Sequence, residues 1–294
     1  MTEDSEGFDL NVYRVGLYAA LFGLLAFFLM PIETGVVTSF KTTDAVSTTS
    51  PVVPALGEGF TVGNYTTAFE QLFPGMINSL LYAVPATILS ALLGSFAAYG
   101  LTLTDWRGQV GFLLLFVAGI FIPYQAVLVP LTQFFSILGL GKLPIWGLLG
   151  IDNAYAGIVE LIITHVAYGI PICTILFRSY YKGMSEEMME SARLEGASVR
   201  RAYRRIVFPL STPMFAVVLI YQFTQIWNDL LFALVLVQAE SSAAAPVTLI
   251  LAGLGASQSG TIFGLRMAGA FIAALPTLAV YVLFGEEFAK GVAT

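Results

Sequence analysis

Six long apolar runs, separated by shorter polar stretches, set the organisation of this chain. They lie at about 13–37, 77–101, 110–135, 156–177, 212–237 and 264–284. Several approach or exceed the ~18 to 20 apolar residues that cross a bilayer as a helix. Pro85, Pro123, Pro130, Pro171 and Pro276 fall in or near these runs. Membrane helices accept such breaks because neighbours re-satisfy the freed backbone groups. The pattern predicts an all-α polytopic membrane protein with six transmembrane helices.

Composition agrees: 57% of residues are hydrophobic and 11% charged, against about 25% charged in an ordinary soluble domain. Ten of the thirteen cations fall on one side of the predicted spans: Arg14, Arg107, Lys290 and seven between residues 178 and 211. Lys41, Lys142 and Arg266 fall on the other. The positive-inside bias then places both termini and the 178–211 loop in the cytoplasm. Residues 1–12 form an acidic tail carrying Glu3, Asp4, Glu6 and Asp9, and 285–294 a short C-terminal tail. An acidic leader is the reverse of a secretory signal, so the first span is expected to remain as an anchor.

Several chemistries find no support. Cys173 is the lone cysteine and sits in an apolar run, where it reads as a small buried hydrophobe, and no metal-ligand spacing surrounds it. Gly139-Leu-Gly-Lys142 lacks the spacing and the hydroxyl residue of a phosphate loop. Nothing points to nucleic acid. Asn64-Tyr-Thr66 is a glycosylation triplet in a predicted outer connection, 38–76, that reads more simply as polar connection or docking surface.

The 178–211 loop is unusually charged. Beside seven cations (Arg178, Lys182, Arg193, Arg200, Arg201, Arg204 and Arg205) it holds Glu186, Glu187, Glu190 and Glu195. Ser185 is placed to cap a helix with acidic residues in its first turn, running to about Glu195 and ended by Gly196. Ser198 is placed to cap a second helix that Pro209 stops. Met188 and Met189 read as adaptable contacts for a partner, while Ala192, Gly196 and Ala197 leave room for close approach. The other physical reading is an amphipathic helix pair lying on an anionic lipid surface.

This stretch resembles the cytoplasmic signature of binding-protein-dependent ABC importer permeases, E-A-A-x-x-D-G-A followed by I-x-L-P. The chain reads Glu190-Ser191-Ala192, Glu195-Gly196-Ala197, Ile206 and Phe208-Pro209. Ser191, Glu195 and Phe208 depart mildly from the pattern. Asn64-Tyr65, Asn78-Ser79-Leu80, Ala97-Ala98-Tyr99, Ile122-Pro123, Val129-Pro130-Leu131, Trp227-Asn228-Asp229, Gly260-Thr261 and Phe288-Ala289-Lys290-Gly291 extend the resemblance to the shorter, six-span subunit of maltose-type carbohydrate permeases.

The resemblance implies a type I ABC importer permease architecture in the plasma membrane. The loop would be a coupling helix docked on a cytoplasmic ATPase, with Glu190, Ala192, Glu195, Gly196 and Ala197 forming the joint and Met188, Ile206 and Pro209 supporting it. It further implies a second permease subunit, two ATPase subunits and an external solute-binding protein. ATP and Mg would be used by the ATPases, with no cofactor on this chain, which is expected not to be an enzyme.

Polar residues at membrane depth are costly and therefore informative. Asn78, Gln125, Gln222, Gln225, Trp227, Asn228 and Asp229 are candidates for the translocation pathway, while hydrogen bonding between helices is the competing reading. A lone His165 more often satisfies a neighbour than carries a proton. The expected cargo is a sugar or oligosaccharide, with a polyol or glycerol phosphate as alternatives. A stand-alone secondary transporter would call for internal repeats and charged pairs at membrane depth, and a lipid-binding scaffold would need no ATPase.

Overall fold

The structure is a computed structural model describing residues 12–257 and 260–292. The acidic residues of the N-terminal tail lie outside the described residues. In chain order the helices are α1 (Val12–Ser39), α2 (Thr43–Thr48), α3 (Gly63–Thr102), α4 (Gln109–Phe121), α5 (Tyr124–Leu138), α6 (Ile145–Leu149) and α7 (Ala156–Tyr181). Then come α8 (Glu186–Leu194), α9 (Val199–Ala202), a π-helical turn (Tyr203–Val207), α10 (Phe208–Leu210), α11 (Thr212–Trp227), α12 (Leu231–Leu236) and α13 (Val247–Gly253). Two-residue strands β1 (Ala256–Ser257) and β2 (Gly260–Thr261) pair antiparallel, and α14 (Phe263–Val292) closes the chain.

Among the described residues, five helical stretches are long and apolar enough to span a bilayer: Arg14–Ser39, Gly63–Thr102, Tyr124–Lys142, Asn153–Tyr181 and Phe263–Glu286. The pair Val199–Leu210 and Thr212–Trp227, bent by 77°, makes a sixth when taken as one.

Three expected spans are corrected. The second begins at Gly63 rather than near Ile77. Its polar first turns are amphipathic, with Ala68 and Leu72 buried and Glu70 and Gln71 exposed. The third is two helices, because Pro123 offers no N–H and forces the preceding Ile122 into extended backbone, φ −73° and ψ 116°. The fifth breaks at Asn228–Leu230, after which α12 resumes. Asn and Asp compete with a helix by bonding their own backbone. Here Asn228 Nδ2 donates to the Thr224 carbonyl at 2.9 Å, and Asp229 Oδ2 accepts from Phe232 N at 3.1 Å.

Two compact units make up the fold. The first takes in residues 12–69 together with 254–257 and 260–272. Asn64 stitches it, donating both Nδ2 hydrogens to the carbonyls of Ser39 and Lys41 at 2.9 Å each. The nitrogen that a glycan would need is therefore engaged in holding the turn. Tyr65 Oη lies 2.8 Å from Ser39 Oγ, and Phe40 stacks on Phe60. The most apolar stretch of α1 is exposed throughout.

The second unit takes in Glu70–Gly253 together with residues 273–292. Its core includes Ala91, Ala98, Tyr99, Cys173, Phe177, Tyr181, Val207 and Val218. Glycines let the helices approach here. A β-carbon on Gly94 of α3 would collide with Cys173 of α7, and one on Gly169 of α7 with Gln222 of α11 and Ser90 of α3.

Candidate functional site

The charged loop folds as a capped elbow. Ser185 Oγ accepts from Met188 N at 3.3 Å to start α8, and Ser198 Oγ accepts from Arg201 N at 3.4 Å to start α9. Between them Gly196 N donates to the Arg193 carbonyl and Ala197 N to the Ala192 carbonyl, both at 2.9 Å. With Gly196 at φ +77°, this is a Schellman termination, which needs a residue free of β-carbon strain. Its outer surface carries Glu190, Leu194, Glu195, Gly196 and Val199, with Leu194 84% exposed.

Not every predicted joint residue faces outward. Ala192 and Met189 are buried, and Met188 and Ala197 are half-buried against the same core as Phe177 and Tyr181. The methionines thus help seat the elbow on this chain's own helices. Ile206 is half-buried. Pro209 does not end the second helix. Helical backbone continues through it to Leu210, because the π turn before it and its place in the first turn of α10 remove the need for its missing donor. The bend falls instead at Ser211.

Hydroxyls tie this elbow to the spans. Ser95 Oγ of α3 lies 2.6 Å from Tyr181 Oη and 2.8 Å from Tyr203 Oη, and Ser211 Oγ donates to Tyr181 Oη at 3.3 Å. Tyr99 Oη donates to the Val199 carbonyl at 3.2 Å. Arg193 Nη2 donates to the Leu103 carbonyl at 2.5 Å, just past the end of α3. None of these residues stands out in the sequence, since the contacts span many tens of positions.

A second constellation lies where α5, α7, α11 and α12 meet. A cavity of about 60 Å³ is lined by Tyr124, His165, Tyr168, Tyr221, Gln222, Gln225, Asp229 and others. Tyr124 and Tyr168 pack edge to face with centroids 4.9 Å apart, and Tyr82 stacks behind His165 at 5.6 Å. His165 Nε2 sits 3.6 Å from Asp229 Oδ2. Amide, phenol, imidazole and carboxylate groups thus converge beside aromatic faces.

The predicted pathway residues separate on this geometry. Gln222, Gln225 and Asp229 line the cavity. Asn78 is buried elsewhere, donating to the carbonyls of Ala243 and Ala245 at 2.9 and 3.0 Å. Trp227 is buried and donates to the Ala273 carbonyl at 2.9 Å. Both are packing residues. Gln125 and Asn228 are exposed and lie outside the cavity lining. The three tyrosines were not anticipated; one aromatic among thirteen tyrosines carries no sequence signal of its own.

Comparison with known proteins gives the family. Residues 90–285 match the family described as binding-protein-dependent transport system inner membrane component. The chain is 53% identical over 290 residues to a xylose/arabinose import permease of Haloferax volcanii, covering 97% of this chain and 94% of that protein. It is 40% identical over 280 residues to a probable ABC transporter permease of Pyrococcus horikoshii, covering 95% and 94%. Among solved structures, a bacterial ABC transporter for import of the acidic polysaccharide alginate shares the fold with a TM-score of 0.71 at 19% identity. That match covers 94% of this chain and 96% of the other. The chain belongs to the binding-protein-dependent ABC importer permeases, multi-pass subunits of the plasma membrane that work with separate ATPases and a solute-binding protein.

Proposed function

We propose that this chain carries a pentose or a related neutral sugar into the cell, as one of two unlike permease subunits of an ATP-driven importer. The observation that carries the reading is its identity to the xylose/arabinose import permease along nearly the whole length. The cavity chemistry suits such a cargo. Aromatic faces accept the apolar side of a sugar ring, while Gln222, Gln225 and Asp229 offer hydrogen bonds to hydroxyls. About 60 Å³ holds only a few waters, so this wall acts with a second subunit or after an opening movement.

In this reading the termini and the elbow face the cytoplasm, where two ATPase subunits use ATP and Mg and this chain binds no cofactor. The exposed surface from Glu190 to Val199 docks on an ATPase, and Gly196 keeps that surface bent. ATPase closure pushes the elbow, and the Ser95, Tyr181, Tyr203 and Ser211 hydroxyls pass the movement to α3, α7 and α11. Alternating access follows as the bundle opens to each side in turn.

An apolar groove between α3, α11 and α14 is assigned to the second permease. Thr87 lines it with a hydroxyl that is buried and lacks a partner among the described residues. The test is uptake by the purified complex in proteoliposomes with labelled xylose, arabinose, maltose and glycerol phosphate. ATP-dependent uptake of a pentose supports the reading. Uptake of glycerol phosphate alone sinks it.

A further inference from the structure

Lys41 stands just past the end of α1, where the chain turns back at the edge of a candidate membrane span. It is only 1% exposed. Lysine is almost never fully buried unless its charge is paired. Yet its ammonium donates one hydrogen bond, to the Ser50 carbonyl at 2.6 Å. Among the described residues no carboxylate lies within 4.0 Å of it. Three donors and a full positive charge therefore meet a single neutral acceptor.

Lys41 is also among the residues that line a cavity of about 470 Å³. The rest of the wall is mostly apolar, with Met30, Pro31 and Gly35 on one side and Phe263 and Met267 on the other. Met30, Thr34 and Thr38 recur at a spacing of four, so the cavity follows one face of α1 for eight residues, about 12 Å of helix at 1.5 Å per residue. The cavity thus lies beside a buried cation at the edge of a candidate span and runs along an apolar, exposed helix.

We propose that this slot holds one anionic lipid, its headgroup oxyanion on Lys41 Nζ and one tail against the Met30–Thr38 face of α1. Charge complementarity selects the occupant. An apolar ligand leaves the ammonium unpaired, and a free oxyanion leaves the apolar slot unfilled. A lipid with a phosphate or sulfate head satisfies both ends.

The test uses the whole complex, with its second permease and ATPases, washed in detergent and placed in phosphatidylcholine nanodiscs doped with phosphatidylglycerol. Native mass spectrometry then counts the lipid retained per complex. Wild type and Lys41→Arg are expected to retain phosphatidylglycerol, and Lys41→Gln to retain it about tenfold less at equal lipid. Thr34→Trp fills the slot without touching the Lys41–Ser50 bond and is expected to lose the lipid too. It decides the matter if Lys41→Gln does not fold. Excess inorganic phosphate is expected not to displace the lipid. Equal retention by Lys41→Gln, or by a folded Thr34→Trp, overturns the proposal. So does displacement by phosphate, which would make the site one for a free anion.

Discussion

Ser95 Oγ lies 2.6 Å from Tyr181 Oη, although 86 residues separate them. Through that pair, and through Tyr203 and Ser211, four segments of the second unit share one buried hydroxyl cluster. Tyr181→Phe removes the shared oxygen, leaving Ser95 with Tyr203 and Ser211 with the Val207 carbonyl as their remaining partners. An unmade buried hydrogen bond costs about 1–3 kcal/mol, so a lower unfolding temperature in detergent is expected. Tyr180→Phe serves as the control. Its hydroxyl bonds the Leu210 carbonyl at an exposed position, and its loss should be much milder.

Gly196 separates strain from docking. A β-carbon there meets no atom of this chain within 4 Å, so Gly196→Ala costs only the left-handed backbone, about 1–2 kcal/mol. Gly196→Leu should insert and fold yet lose ATP-driven uptake, with ATPase activity no longer stimulated by the loaded binding protein. Normal uptake by that variant would rule out the elbow as the driven part.

Local chemistry made the elbow legible and tertiary convergence hid the cavity. Ser185, Gly196 and Ser198 act on backbone groups within a few residues, so their caps follow from spacing alone. The break at Pro123 follows from equally local sterics, but hydropathy averages across it. Met189 shows the opposite limit: periodicity identifies an apolar position without saying whether the chain itself or a partner covers it. Asn78 and Gln225 look alike in sequence as polar residues in apolar runs. Only the fold shows one bonded to two carbonyls and the other lining a cavity.

That contrast gives a paired prediction. Asn78→Ala strands the Ala243 and Ala245 carbonyls and should cost about 2–4 kcal/mol. Uptake of every sugar should fall in step. Gln225→Ala, at an exposed position, should leave stability within about 0.5 kcal/mol while changing half-saturation unequally among sugars. Competition uptake assays read the ratio directly. A uniform effect of Gln225→Ala would remove it from the pathway.

Glycines in the spans are not interchangeable. Gly169→Val must displace Gln222 and Ser90, an overpacking worth about 1–3 kcal/mol or more, and the complex should fail to accumulate in membranes. Gly16→Ala and Gly23→Ala on α1 meet nothing within 4 Å. Alanine there should be neutral or should stabilise the helix by up to about 1 kcal/mol. Quantitative blotting of membrane fractions distinguishes the two behaviours.

The Schellman turn at Gly196 has a thermodynamic consequence. Its two hydrogen bonds run between Ala192, Arg193, Gly196 and Ala197, so the bend is complete before any other protein arrives. A partner that meets a preorganised shape is spared the entropy of ordering it, about 0.5–1.5 kcal/mol per immobilised side chain. For an ATPase docked on the elbow as proposed, more of the contact energy is then left to resist being pulled apart during each ATP cycle.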